Sequence, residues 1–249
     1  MAKVSGIVKI EGTVEDLTFY KRNGRNFVRR KGGIARERIE SDPNFVRTRE
    51  NNSEFRHNCE SGKLLRMSLG SLVFKAKDAN LSNRLMQSMS RIKNLDTTSA
   101  RGKRRVEIGI TSPEGKQVLR SFDFNANAPL QNVLFTPHAL NILTGEIRLT
   151  GLVPAEQLLF PQGATHASFQ SAVLALDFET GDSELAFSPV RNLPLNLTPA
   201  TVSLVPSDVP TTTGVQLFLL VISFYQEING VQYSLKNEEY NVLNIVEVV

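Results

Sequence analysis

The residue types that most often carry catalysis are sparse in this sequence and do not group. The three histidines are His57, His138 and His166, and no two of them have the spacing of a metal-binding pair. Ser90 and Lys93 match the Ser-x-x-Lys pattern of some serine enzymes, but the companion Ser-Asp-Asn and Lys-Thr-Gly elements are missing. Neither a GxGxxG nor a GxxxxGK[ST] phosphate loop occurs. The sequence therefore predicts no cofactor, no metal and no small-molecule substrate.

Carboxylates come together in the segment DFETGD, residues 177–182, at a predicted strand end. Paired carboxylates can act as acid and base or bind calcium, but this segment lacks the pattern of a calcium loop. A solvated turn is the favoured interpretation. An enzyme with a site near Asp177 is an alternative that no motif supports, and we predict that the protein is not an enzyme.

Basic residues are concentrated in two segments of this sequence. The segment FYKRNGRNFVRR, residues 19–30, sets aromatic residues and five basic residues around Asn23 and Gly24, with no acidic residue among them. A second basic segment, TTSARGKRR, occupies residues 97–105. The predicted interaction residues, for a protein or a nucleic acid, are Tyr20, Arg22, Arg25, Phe27, Arg29, Arg30, Arg101, Lys103, Arg104 and Arg105.

Three interpretations of the basic ribbon remain open. A two-stranded ribbon can enter a DNA groove, with arginines on phosphates and an aromatic ring stacked on a base. It can equally bind an acidic protein surface. The third interpretation is a solvated face that keeps the protein soluble or protects an edge strand.

The Asn23-Gly24 step predicts a β-hairpin, because a type I′ turn needs positive φ at both central residues. Its register places Tyr20 opposite Phe27 and Arg22 opposite Arg25. One face of the hairpin then carries Tyr20, Arg22, Arg25, Phe27 and Arg29. The other face carries Leu17, Phe19 and Val28, and it is the predicted core face. Like charges opposite each other on the first face are unfavourable unless an anion or a carboxylate binds there.

Helices are predicted after the hairpin. Apolar residues three or four apart predict a helix from Phe55 to Ala76, with Cys59 as a small buried residue on it. A second stripe from Leu81 to Ile92 predicts an antiparallel hairpin of helices. Residues 96–105 contain few apolar side chains and are interpreted as a basic linker.

Short β-rich runs follow from Val106 to the C-terminus. They are VEIGI, VLRSFDF, GEIRLTG, THASFQSAVLALDF, ELAFSPV, TVSLVP, VQLFLLVISFYQEI, VQYSLK and VLNIVEVV. Many short strands separated by turn residues favour an antiparallel sheet arrangement over βαβ units. We predict an α+β fold with a basic β-hairpin and helical-hairpin region, residues 1–105, and an immunoglobulin-like antiparallel β-sandwich, residues 106–249.

Charge follows the same division. Residues 1–107 contain 24 Lys and Arg against 12 Asp and Glu, whereas residues 108–249 contain 5 against 13. The net charges of the two regions are therefore +12 and −8, within a chain of net charge +4. A chain polarised in this way indicates that the basic region binds something anionic.

The sequence also indicates the cellular compartment in which the protein is synthesised. The single cysteine excludes an internal disulfide framework and fits synthesis in a reducing cytoplasm. No basic segment followed by an apolar run begins the sequence, and the longest apolar stretch is too short to cross a bilayer. We expect no membrane span and cytoplasmic synthesis, with the product ending in a released or surface assembly.

Three segments carry a resemblance to a known family. GIVKIEGTVEDLTFYKRNGRNFVRRKGG, DPNFVRTRENNSEF and IKNLDTTSARG resemble a family of uncharacterised bacterial proteins over about the first hundred residues. The resemblance implies a phage-related or other assembly component. We predict a non-enzymatic structural subunit, a homo-oligomer that self-assembles into a filamentous, tubular or virion-like assembly through its basic N-terminal region and β-sandwich. The alternative is a nucleic-acid-binding protein that uses the basic ribbon.

Overall fold

A computed structural model describes residues 2–3, 10–22, 24–30, 32–211, 213–235 and 239–249 of the chain. It separates into two compact units, Met1–Glu50 and Asn51–Val249, called here the N-terminal and the C-terminal unit. The division falls at Glu50 rather than near residue 105, within a helix that runs through Val46–Leu69. None of the described helices is long and apolar enough to span a membrane.

The N-terminal unit contains an antiparallel sheet with the strand order β1–β4–β3–β2. Its strands are β1 (Ala2–Lys3), β2 (Gly12–Val14), β3 (Leu17–Arg22) and β4 (Arg25–Arg30). A helix α1 (Arg36–Ser41), a 3-10 turn (Pro43–Phe45) and the start of helix α2 (Val46–Leu69) follow. The sequence also predicts a short strand over VSGIVKI, residues 4–10, and all of it except Ile10 lies outside the described residues.

The predicted hairpin and its register are confirmed. Tyr20 pairs with Phe27 and Arg22 pairs with Arg25 across β3 and β4. Gly24 has a φ of 75°, a left-handed conformation that glycine adopts without steric cost, so the turn falls where the sequence places it.

The predicted core face of the hairpin is not buried. Leu17 is 44 % exposed, and Phe19 and Val28 are only half-buried. Among the described side chains of residues 10–50, none is buried. The prediction of a core here was wrong because hydrophobic alternation shows which face a partner layer would cover, but not that the same unit supplies that layer.

The helices of the C-terminal unit begin with the remainder of α2. Those that follow are α3 (Ser71–Lys75), α4 (Leu81–Lys93), α5 (Val106–Gly109), α6 (Pro113–Leu119), α7 (Leu130–Val133) and α8 (Pro154–Gln157). Helices α2 and α4 run antiparallel, since Glu54 contacts Lys93 while Gly62, further along α2, lies against Leu85 and Met89, earlier in α4.

The buried face of α2 differs from the predicted stripe in its first half. Buried polar or small residues occupy it there, namely Glu54, Asn58, Ser61 and Gly62, before Leu65 and Leu69 continue it. Phe55 is 54 % exposed, and Cys59 is exposed rather than buried as predicted. The prediction was wrong because a buried ion-paired glutamate defines this face, and an apolar count cannot recognise it.

Two sheets occupy most of the remaining chain. The strands are β5 (His138–Asn141), β6 (Glu146–Leu152), β7 (His166–Leu176), β8 (Ser183–Phe187), β9 (Arg191–Pro194), β10 (Ala200–Leu204), β11 (Val215–Ile228), β12 (Val231–Ser234) and β13 (Val242–Val248). In the larger sheet the long strands β7 and β11 pair at the centre, β8 and β9 share the other edge of β7, and β12 and β13 share the other edge of β11. The smaller sheet has the order β10–β6–β5.

The larger sheet is covered on both faces. Leu217 and Leu219 of β11 pack with residues of α2, α4, α5 and α6 in one core. Leu220 and Ile222, on the opposite face of the same strand, pack with residues of β6 and β10 in a second core. The C-terminal unit is thus α+β, with an antiparallel sheet between a helical layer and a smaller sheet. An immunoglobulin-like sandwich is not confirmed.

Residues 106–124 differ from their predicted strands. VEIGI forms α5, and most of VLRSFDF lies in the end of α6 and the turn after it. Gly109 explains the close packing, because a Cβ there would lie 2.0 Å from the carbonyl oxygen of Ile92 at the end of α4. The change in charge near residue 105 therefore falls inside a packed helical layer and does not coincide with the division between the units.

Candidate interaction surface

One face of the β3–β4 hairpin, called here the basic face, combines stacked aromatic rings with arginines. It consists of Tyr20, Arg22, Arg25, Phe27 and Arg29. The Tyr20 and Phe27 rings stack with centroids 5.7 Å apart, and the Arg29 guanidinium lies 5.7 Å from the Tyr20 ring centroid. Strand pairing fixes this arrangement, since alternate residues of paired strands share a face.

The positive charge of the basic face is not neutralised within the described part of the chain. Arg22 lies directly opposite Arg25, and neither they nor Arg29 form an ion pair with a described residue. Arg30 lies on the opposite face, where its guanidinium is 3.7 Å from the carboxylate of Asp16 and mostly exposed. The basic face therefore offers three planar donors suited to bidentate binding of carboxylates or phosphates.

The second predicted set, in residues 101–105, lies in the C-terminal unit and is partly used in folding. Arg104 donates from Nε and Nη2 to the two carboxylate oxygens of Glu54, each at 2.9 Å, and the amide of Gly102 donates to the same carboxylate at 2.7 Å. Lys93 Nζ donates to Glu54 at 2.5 Å. Burial raises the pKa of Glu54, but the hydrogen bonds from Arg104 and Lys93 outweigh it and lower the pKa to about 2. Arg104 is thus held by a buried ion-paired cluster.

Asp96 organises the rest of this segment. Its carboxylate accepts from the amides of Thr98 and Ser99 at 3.0 Å each, and from the amide of Arg105 at 3.0 Å. These bonds outweigh the effect of burial and hold the pKa of Asp96 well below its usual range. Residues 96–105 therefore form a folded turn, and their interpretation as a basic linker was wrong. Lys103 remains exposed, and Arg101 donates to the side chain of Asn51.

The fold also brings together residues that the sequence treats separately. A cavity of about 480 Å³ lies between α2 and the turn after β7, and it is called here the acidic cavity. Its ionisable lining residues are His57, Glu60, Arg105, Glu107 and Glu179. The His57 and Glu60 spacing on one helical face is a local signal for part of it, but no sequence signal places Glu107 or Glu179 there. Within the described residues, no His, Cys, Asp or Glu group has a metal-binding arrangement.

His57 connects the walls of the acidic cavity. Its Nε2 accepts from the amide of Val106 at 2.9 Å and lies 3.1 Å from Oε2 of Glu107, while Nδ1 lies 3.3 Å from a guanidinium nitrogen of Arg105. Burial lowers the pKa of His57, with smaller opposing effects from Glu107 and Glu60, so the neutral ring predominates at neutral pH. The acidic cavity is therefore a polar site whose glutamate side chains are suited to bind a cationic group.

The two predicted sets of basic residues thus differ in availability. The hairpin residues other than Arg30 share one face, whereas in the second set Arg104 binds Glu54 and Arg105 contacts Asp96 and His57. His138 and His166 lie at the starts of β5 and β7, and neither lines the acidic cavity. No family model, curated protein or solved structure matches this chain, so its resemblance to a bacterial family stays a prediction.

Proposed function

We propose that this protein is a non-enzymatic structural subunit that self-assembles into a filamentous, tubular or virion-like assembly through its N-terminal unit. The observation that carries the proposal is the absence of a buried side chain among the described side chains of residues 10–50. A sheet with both faces accessible lacks the second layer that stable domains need. Another copy of the chain can supply that layer.

Exposed apolar side chains support this proposal. Ile10, Val14, Leu17, Ile34 and Val46 are each between 43 % and 54 % exposed. Burial of apolar surface contributes about 25 cal/mol per Å², and a unit of this size gains little of it alone. Contact with a partner would therefore stabilise the unit and supply most of the affinity between subunits.

The charge division supports a contact between unlike surfaces. The region at +12 and the region at −8 attract each other between neighbouring chains. Such a head-to-tail contact is heterologous, so it produces rings where the rotation closes and filaments where it does not.

Nucleic-acid binding is the second candidate, and the basic face favours it. Arginines that form no ion pair with a described residue lie beside stacked aromatic rings, and together they can hold phosphates and stack on bases. Phosphate binding and self-assembly differ in their response to salt, which gives the test.

We expect nucleic-acid-free protein to show a mass above that of one chain by light scattering, and to keep it at moderate salt, because apolar contacts supply most of the affinity. Binding to a DNA oligonucleotide, measured in parallel, should be weak by comparison. A protein that stays at 27.7 kDa in all conditions and binds DNA with an affinity falling by orders of magnitude over a few-fold rise in salt would favour the second candidate instead.

A further inference from the structure

We propose that the acidic cavity receives an arginine of the basic face from a second copy of this chain. This inference rests on the proposed self-assembly and identifies the surface that receives the N-terminal unit. The partner is therefore the hairpin end of another subunit, and the contact is heterologous.

The turn that forms one wall of the acidic cavity is preformed. The carboxylate of Asp177 accepts from the amides of Glu179 at 2.7 Å and Thr180 at 3.2 Å, and from the hydroxyl of Thr213 at 3.1 Å. The amide of Asp177 donates to the carbonyl of Asp182 at 2.9 Å. Little conformational entropy remains to be lost in this turn when a partner binds.

The surface around the turn is strongly acidic. Glu179, Asp182 and Glu184 are exposed. No lysine or arginine occurs in residues 149–190. An excess of negative charge attracts a basic surface and repels phosphates. The occupant is therefore a basic protein segment and not a nucleic acid.

Inside the cavity, Glu107 presents a carboxylate that no described lysine or arginine neutralises. Its Oε2 is buried and lies 3.1 Å from Nε2 of His57, and no lysine or arginine in the described part of the chain forms an ion pair with it. An incoming guanidinium would supply the positive charge and the paired donors that this carboxylate lacks.

Arg105 also lines the acidic cavity, but it faces His57 and leaves three carboxylates there, those of Glu60, Glu107 and Glu179. The volume of about 480 Å³ accommodates a long side chain. Arg22 and Arg25 form the last pair of the hairpin before its turn and so lie at its tip. A guanidinium at the tip of the hairpin can reach a recessed carboxylate more readily than a guanidinium in the middle of a sheet can.

The test uses two variants of the full chain, each defective in one side of the contact. The hairpin variant carries Arg22→Gln and Arg25→Gln, and the cavity variant carries Glu60→Gln and Glu179→Gln. The matched controls are Lys21→Gln, on the opposite face of β3, and Glu156→Gln, an exposed carboxylate outside the acidic cavity. Circular dichroism and thermal unfolding establish that each variant is folded.

We expect each variant alone to need about 100-fold more protein to assemble, while the controls assemble like the wild type. An equimolar mixture retains one intact hairpin and one intact cavity on different chains. It should therefore form a dimer of twice 27.7 kDa and nothing larger. If the cavity variant fails to fold, Glu179→Gln alone, in the exposed turn, replaces it.

Two results would overturn the inference while the proposed function stands. In one, the cavity variant assembles like the wild type; in the other, the folded variants remain monomeric when mixed although the wild type assembles. A wild type that is itself monomeric would overturn the proposed function as well, and with it the second copy as the occupant.

Discussion

The substitution Glu54→Ala is expected to lower the free energy of unfolding of the C-terminal unit by about 3–5 kcal/mol, the range measured when one partner of a buried ion pair is removed. Glu54 is only 3 % exposed, and its carboxylate binds Lys93 and Arg104. Without it, the buried ammonium of Lys93 loses its counter-charge. Urea unfolding followed by circular dichroism measures the loss.

Glu60→Ala is the matched control, because Glu60 is exposed on the same helix and should change stability by less than about 0.5 kcal/mol. A loss at Glu54 no larger than that of the control would contradict the structural role of the buried cluster.

The same carboxylate predicts how stability depends on pH. Its folded-state pKa of about 2 lies below the value of about 4.3 in an unfolded chain. Glu54 therefore adds stability above the unfolded pKa, and this contribution is lost as pH falls toward 2. The difference corresponds to about 3 kcal/mol at neutral pH. In the Glu54→Gln variant this part of the acid dependence should disappear.

Arg25→Glu is expected to abolish assembly while making the hairpin more stable. In the wild type, Arg25 lies directly opposite Arg22. The introduced carboxylate would pair with Arg22 and stabilise the strands by about 0.2–1 kcal/mol. The same change removes a cation from the basic face and adds an anion that the acidic surface of a partner repels, so affinity between subunits should fall by about 100-fold or more.

Lys21→Glu separates this effect from net charge alone. Lys21 lies on the opposite face of β3, where it pairs with Asn26, and its reversal changes the net charge equally. Light scattering gives the assembly state of both variants, and hydrogen exchange of the hairpin amides gives their local stability. Equal loss of assembly in both variants would mean that the basic face is not the specific interface.

Local chemistry made the hairpin predictable from sequence. Gly24 removes the steric cost of positive φ, and the short turn fixes the pairing of Tyr20 with Phe27. Long strands such as β11 were predictable because a continuous apolar run bounded by turn residues has few alternatives. Strands β5 and β9 were not predicted, since each is four residues long and few of their side chains are even half-buried.

The remaining features depend on contacts between distant residues. The polar face of α2 can be buried because the tertiary fold places Lys93 and Arg104 in contact with Glu54. Residues 97–105 look like a solvated linker until the carboxylate of Asp96 binds the amides of that turn. The acidic cavity likewise joins a helix to a turn more than a hundred residues away, as His57 and Glu179 show. Composition and periodicity contain no information on such contacts between residues that are distant in the sequence.

Negative-stain electron microscopy of nucleic-acid-free protein tests the central proposal most directly, because self-assembly produces objects larger than one chain. We expect rings, tubes or filaments with a regular repeat, formed by the wild type and by Lys21→Glu but not by Arg25→Glu. Isolated particles of single-chain size at every protein concentration, in all three proteins alike, would contradict the proposal that this chain is a self-assembling subunit.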